Sequence, residues 1–77
     1  MDNSVKVIDV RGRCCPIPII EAKRAMGHCV PGSSVRILAT DVGFPKDLEA
    51  FCRQTGHQII ESDSMGGEYS YLVQRHL

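Results

Sequence analysis

Thiols are the side chains in this 77-residue sequence best suited to chemistry, and there are four of them. Cys14 and Cys15 are adjacent, and Cys15 opens a Cys-Pro-Ile-Pro run. A residue before proline is disfavoured in the helical region, whereas proline suits the first position of a helix. We therefore expect Cys15 to be the N-cap of a helix that begins at Pro16. Pro18 is tolerable as the third helical residue, because amides of the first turn have no intrahelical acceptor.

A thiol at this position is favourably placed to act as an anion. The amides of Ile17 and Ile19 and the positive end of the helix dipole stabilise negative charge on such a sulfur. Nearby cations add to this effect, and Arg11 and Arg13 are close in sequence. We therefore predict that Cys15 is the reactive nucleophile.

The remaining thiols have other expected roles. Cys29 and Cys52 fall on predicted apolar helix faces, where a free cysteine acts as a small hydrophobic residue. For Cys14 two interpretations stay open: a side chain that points into the core, which we favour, or a resolving thiol. Adjacent cysteines pair only with strain, so we expect four free thiols. The spacing of cysteines and histidines lacks a C-x2-C pattern, and we expect neither a metal nor a cofactor.

A general base for Cys15 is not evident in the sequence. His28 and His57 are predicted to lie at a helix end and a strand start, away from Cys15. A nucleophile without an acid–base partner suits covalent carriage of sulfur as a persulfide, since transfer needs only the attack of a thiolate on another sulfur.

The elements that position Cys15 follow from periodicity. A strand is predicted over 5–10, followed by a helix from Pro16 whose apolar face carries Ile19, Ala22, Met26 and Cys29. A second strand over 35–39 leads to a second helix, which begins at Pro45 and ends at Gly56. The chain then forms a strand over 57–62, a hairpin loop over 63–67 and a last strand through Tyr69, Tyr71 and Val73. Right-handed crossovers place both helices on one face of a four-stranded mixed sheet. The predicted fold is an α/β (α+β) two-layer sandwich of order β-α-β-α-β-β.

The second strand is apolar on both sides, as expected of an interior strand. If the first two strands are parallel neighbours, the loops 11–15 and 40–44 that follow them emerge at one edge of the sheet, where open α/β layers usually carry their sites. Asp41 then has two possible roles: a hydrogen bond across to the Cys15 loop, or a cap of its own loop.

Composition narrows the class of protein. The chain length predicts one domain over residues 1–77. Nine Lys and Arg balance nine Asp and Glu, which argues against direct binding of nucleic acid. Residues 1–10 lack the apolar segment of a signal peptide, and we expect a cytoplasmic protein without membrane contact.

These residues resemble the TusA/SirA-like family of small sulfur-carrier proteins. The family pattern of Asp followed by Gly-Leu-x-Cys-Pro-x-Pro is matched by Asp9, Gly12, Cys15, Pro16 and Pro18. Later landmarks of the family are matched by Ala39-Thr40-Asp41, Lys46-Asp47-Leu48, Phe51-Cys52 and Gly56-His57.

The resemblance implies a carrier whose Cys15 accepts sulfane sulfur as a persulfide and passes it on, and we expect the protein to be a monomer. It implies a protein donor, a cysteine desulfurase or a rhodanese-like sulfurtransferase, and a protein acceptor that serves tRNA thiolation, cofactor synthesis or sulfur oxidation. Gly12, Pro16, Pro18 and Arg13 are then expected to support Cys15.

Two positions depart from the family pattern. Arg13 replaces the usual Leu beside the additional Cys14, and Val42 stands where Pro is expected. The Cys14–Cys15 pair motivates an alternative function, a thiol redox or regulatory protein. A third hypothesis is an RNA-binding module, since the C-terminal domain of a translation initiation factor has a similar fold; the zero net charge argues against it.

Overall fold

A computed structural model describes residues 5–77 of the chain. Residues 1–4, which form part of the segment predicted not to be a leader, lie outside the described residues. The elements are β1 (Lys6–Asp9), α1 (Ile17–His28), β2 (Ser34–Ala39), α2 (Phe44–Thr55), β3 (Gln58–Met65) and β4 (Glu68–Gln74). The predicted order β-α-β-α-β-β is confirmed.

The strands form one mixed sheet in the order β1-β2-β4-β3. β1 pairs with β2 in parallel, with Ile8 opposite Ile37. β4 is antiparallel to β2 and to β3. The parallel pairing of β1 and β2 brings the carboxyl ends of both strands to the same edge.

Alternate residues of the interior strands face the two helices. Val35, Ile37 and Ala39 of β2 are completely buried, as is Val73 of β4. The helices cover this face mainly with Ala22, Met26, Phe44 and Leu48.

The predicted interior position of β2 is confirmed, but its residues on the other face of the sheet are only partly buried. Arg36 of β2 points to this face, where its guanidinium donates to Glu61 at 2.8 Å and to Ser70 at 2.8 Å. β2 is interior because it pairs with a strand on each side, and it is buried on one face only.

The helix ends follow local backbone chemistry. α2 contains Pro45 in its first turn, where a missing amide costs little. It ends at Gly56, whose φ of 89° is left-handed and whose N–H donates to the Cys52 carbonyl at 2.8 Å. The predicted role of Gly56 is therefore confirmed.

The hairpin loop predicted over 63–67 is wrong. β3 continues to Met65, and only Gly66 and Gly67, both with positive φ, form the turn. Two such residues match the twist of the flanking strands. The polar residues before them were mistaken for a loop because β3 is an edge strand and its side chains are mostly exposed.

Neither helix within residues 5–77 is long and apolar enough to cross a membrane.

A stacked pair of histidines joins the start of β3 to the residues after β4. The His57 and His76 rings lie 5.0 Å apart at 27°, and Phe51 packs edge-on against His57 at 5.3 Å. The His76 amide donates to His57 Nδ1 at 3.2 Å, so this nitrogen must be unprotonated. Burial, followed by the charges of His76 and Arg75, lowers the pKa of His57.

We predict that this histidine makes folding stability depend on pH. Because the pKa of His57 is lower in the folded than in the unfolded chain, the unfolded chain binds protons more readily. The contribution of His57 to the free energy of unfolding is therefore fully present above the unfolded-state pKa of about 6.5. It is lost as pH drops through the pKa of the folded protein. Urea unfolding between neutral and mildly acidic pH measures this loss.

His57→Gln should flatten this pH dependence. The matched control is His28→Gln, because His28 is exposed and lies outside the cluster. An identical pH dependence for His57→Gln and the parent protein would contradict the assignment.

Candidate functional site

The loop after β1 is fastened to the end of β2. The Val10 amide donates to the Leu38 carbonyl at 2.8 Å, and the Val10 side chain is buried. Gly12 has a left-handed φ of 81°, and its amide donates to Thr40 Oγ1 at 2.9 Å. The two loops predicted to share an edge are thus joined directly by a hydrogen bond.

Asp9 and Arg11 form a clamp at the base of this loop. The guanidinium of Arg11 contacts both carboxylate oxygens of Asp9, at 2.9 and 2.8 Å, and reaches Glu68 of β4 at 3.3 Å. The Arg11 side chain and then its amide hold the pKa of Asp9 at about 2, well below the usual value. Hydrogen bonds from Arg11 to Asp9 and then to Glu68 raise the pKa of Arg11.

The prediction that both Arg11 and Arg13 add positive charge beside Cys15 therefore holds for Arg13 at most. Arg11 is neutralised by two carboxylates and does not serve as a counterion for Cys15. Arg13 is exposed, and its guanidinium forms no ion pair within the described part of the chain. Arg13 remains the candidate cation.

A tight turn precedes α1, and it corrects the predicted helix start. The Ile17 amide donates to the Cys14 carbonyl at 3.1 Å across a turn whose Cys15–Pro16 peptide bond is cis. Pro16, with φ −94° and ψ 13°, is the N-cap, and its carbonyl accepts the Ile20 amide at 3.1 Å. The helix begins one residue later than predicted, so Cys15 precedes the N-cap. The Ile17 amide is used by Cys14 and is not available to the Cys15 sulfur.

The two prolines have different surroundings. Pro16 is exposed beside Cys15, whereas the side chain of Pro18 is fully buried in the first turn of α1. Pro18 thereby anchors the start of the helix in the core.

Cys14 and Cys15 are both exposed and free. The favoured interpretation of Cys14 as a core residue is wrong, because its side chain is exposed and the buried residues that flank this segment in the sequence are Val10 and Pro18. Between residues 5 and 77 neither sulfur takes part in a hydrogen bond.

The other two thiols lie in or against the core, as predicted. Cys52 is buried, and this burial raises the pKa of its thiol. Cys29 is partly buried at the end of α1, and its Sγ donates to the Met26 carbonyl at 3.3 Å. Neither lies at the edge that carries Cys15.

Asp41 caps its own loop. Its carboxylate accepts the Gly43 amide at 3.2 Å, and its carbonyl accepts the Phe44 amide at 3.0 Å. The structure thus supports the second of the two roles considered for Asp41. The residue that reaches across to the Cys15 loop is Thr40, which sequence reasoning missed although it follows β2 directly.

Within residues 5–77 no histidine lies at the edge that carries Cys15. His28 ends α1 at the opposite end from Cys15, and His57 follows the far end of α2. A cavity of about 360 Å³, lined by residues that include Gly32, Gly56 and His76, also lies at that far end. In the part of the chain described here, no three His, Cys, Asp or Glu side chains converge in a metal-binding arrangement.

Comparison with known proteins yields consistent matches. A family model described as "Sulfurtransferase TusA" matches residues 6–75. The sulfur carrier protein TusA of Allochromatium vinosum is 37% identical over 68 residues, which are 88% of this chain and 90% of that protein. A candidate sulfur carrier protein of Neisseria meningitidis is 44% identical over 69 residues, 90% of this chain and 93% of that protein.

The fold has a counterpart among solved structures. A SirA-like protein from Desulfitobacterium hafniense superposes with a TM-score of 0.80 and 25% identity over 95% of this chain and 100% of that one. The similarity therefore extends over nearly the whole chain in both sequence and fold.

The Gly12–Thr40 contact gives a testable prediction. Thr40→Val keeps the shape of the side chain and removes the acceptor, so it should lower the free energy of unfolding by about 1 kcal/mol. Thr40→Ser is the matched control, because it retains the hydroxyl. Urea unfolding provides the measurement, and equal losses for the two variants would contradict the role of the hydrogen bond.

Proposed function

Since the chain belongs to the TusA family of sulfurtransferases, we propose that it is a sulfur carrier that holds sulfane sulfur on Cys15 as a persulfide and passes it to another protein. The observation that carries this proposal is an exposed thiol, fixed in a hydrogen-bonded turn, with neither His28 nor His57 at its edge of the sheet. The named sulfur carriers that this chain resembles support the same role.

The chemistry requires little of the surrounding protein. The Cys15 thiolate attacks the outer sulfur of a donor persulfide, a new S–S bond forms on Cys15, and the donor leaves as its thiolate. Discharge is the same exchange in reverse, with the acceptor thiolate as the nucleophile. No proton is removed from carbon and no water is activated, so this reaction does not require a histidine beside Cys15.

The residues around Cys15 have proposed supporting roles. Gly12 permits the left-handed turn and anchors the loop on Thr40. Pro18 secures the start of α1 through its buried ring, and Pro16 provides the N-cap. Together they hold Cys15 outside the core.

A nearby positive charge and the neighbouring loop after β2 also have proposed roles at the site. Arg13, the exposed cation next to the thiols, is proposed to stabilise the anionic sulfur. Asp41 fixes the neighbouring loop and leaves Val42 exposed at 84%.

The partners are proposed to be proteins. Cys15 is exposed on a turn, where a thiol of another protein can reach it. Ile17 and Ile20 of α1 are also exposed and add apolar surface next to Cys15, as expected of a surface that proteins contact. The donor is a cysteine desulfurase or a rhodanese-like sulfurtransferase, and the acceptor serves tRNA thiolation, cofactor synthesis or sulfur oxidation.

The proposed carrier acts as a monomer. It is proposed to lie in the cytoplasm, because that compartment keeps a carrier thiol reduced. Its net charge of zero does not favour direct binding of nucleic acid.

The exposure of Cys14 favours a second candidate function, a redox protein that cycles a Cys14–Cys15 disulfide. Adjacent Cα atoms are about 3.8 Å apart, shorter than the roughly 4.4–6.8 Å typical of disulfides. Such a bond is strained and readily reduced, so it makes a poor stable product. As an end state it would be recognised by the stable loss of two thiols on mild oxidation.

Loading of the thiol tests the carrier function. After incubation with a sulfurtransferase and a sulfane donor, the parent protein should gain about 32 Da, lost again on reduction. Cys15→Ser should gain nothing, because the accepting thiolate is absent. Intact-mass spectrometry is the measurement.

Cys29→Ser serves as the matched control and should load like the parent, since Cys29 lies at the other end of α1. Persistent labelling of Cys15→Ser, or loss of labelling in Cys29→Ser alone, would contradict the assignment of Cys15.

A further inference from the structure

Cys14 is the exposed reactive group that the proposed carrier function does not use. We propose that Cys14 is a resolving thiol that discharges the Cys15 persulfide as hydrosulfide when no acceptor protein is bound. This inference rests on the proposed function, since it requires sulfur on Cys15.

The turn before α1 leaves both the Cys14 and the Cys15 thiols exposed to solvent. The hydrogen bond from the Ile17 amide to the Cys14 carbonyl closes the turn around Cys15. Both side chains are exposed, and within residues 5–77 no hydrogen bond engages either sulfur. Neither thiol therefore has to break a contact before it reacts.

The other thiols of the chain are unsuited to this step. Cys52 is buried in the core. Cys29 donates to the Met26 carbonyl at the far end of α1, a helix of 12 residues and therefore about 18 Å long. Cys14, in contrast, is joined to Cys15 by a single peptide unit, and an attached nucleophile has a far higher effective concentration than a free thiol.

The proposed discharge is a thiol–disulfide exchange within the Cys14–Cys15 pair. The Cys14 thiolate attacks Sγ of Cys15, the bond from that Sγ to the outer sulfur breaks, and HS⁻ leaves. The Cys14 sulfur is oxidised as the Cys14–Cys15 disulfide forms, the Cys15 sulfur keeps its oxidation state, and the outer sulfane sulfur is reduced to hydrosulfide. The outer sulfur retains the proton of the Cys15–S–SH group.

The geometry of neighbouring residues makes the product temporary. With Cα atoms about 3.8 Å apart, the disulfide is compressed below its usual range and is therefore easily reduced. Two molecules of a low-molecular-weight thiol such as glutathione restore both cysteines and leave as glutathione disulfide. Cys14 thus limits the lifetime of an undelivered persulfide without locking the carrier.

The lifetime of the loaded protein tests this proposal. The chain is loaded with glutathione persulfide, freed of excess donor, and followed by intact-mass spectrometry and by assay of released hydrosulfide. The loaded species should convert to one about 2 Da lighter than the reduced protein, with one hydrosulfide released per chain. The rate should not change between protein concentrations about ten-fold apart, because the attack is intramolecular.

Cys14→Ser and Cys14→Ala should load normally, keep the added sulfur at least about ten-fold longer and give no lighter species. Both substitutions are at an exposed position, and Cys29→Ser is the control that should decay like the parent.

Two outcomes would overturn the proposal. If the Cys14 variants load and decay at the parent rate, or if decay accelerates with protein concentration, Cys14 does not resolve the persulfide, although Cys15 is still the carrier. If the parent protein and the Cys14 variants alike fail to load, the carrier function and the resolving role are both refuted.

Discussion

The parallel pairing of β1 with β2 is the constraint on which the site depends. It brings the carboxyl ends of the two strands together, and the Gly12 amide can therefore donate to Thr40 Oγ1 across the edge of the sheet. That hydrogen bond fixes the loop between β1 and α1. The Cys15 thiol is displayed by this loop, and its position depends on backbone contacts on both sides.

Two further contacts hold the two ends of this loop in place. At its base, the side chain of Arg11 is held by Asp9 and Glu68. At its end, the buried ring of Pro18 fixes the first turn of α1. The segment between them is closed by the turn from Cys14 to Ile17 and is left exposed. A rigid frame around an accessible thiol suits a sulfur atom that is exchanged between proteins.

The fold was largely predictable because its signals are local. The β-branched strand runs, Pro45 in the first turn of α2 and Gly56 at its end each act through neighbouring backbone. The order of the strands and the role of Gly56 are as predicted, whereas α2 begins at Phe44, one residue before the predicted start at Pro45. The hairpin was misplaced because polar residues of an edge strand resemble a loop. Only the pairing of strands shows that β3 extends to Met65.

The site was less predictable than the fold. The proline neighbours of Cys15 single it out as the candidate nucleophile, but the helix start depends on whether Pro16 or Cys15 provides the first accepting carbonyl, which residue type alone does not decide. The exposure of Cys14, the ion pair of Arg11 with Glu68 and the contact of Thr40 with Gly12 depend on how residues distant in sequence come together. Sequence patterns record such contacts weakly.

The central claim is that Cys15 holds the sulfur, and the most direct measurement is fragment-level mass spectrometry of the loaded, alkylated protein. Trypsin releases residues 14–23 as one peptide that contains both exposed cysteines. We expect the fragment ions to place the added sulfur on Cys15. Added sulfur found instead on Cys29 or Cys52, with Cys15 unmodified, would contradict it.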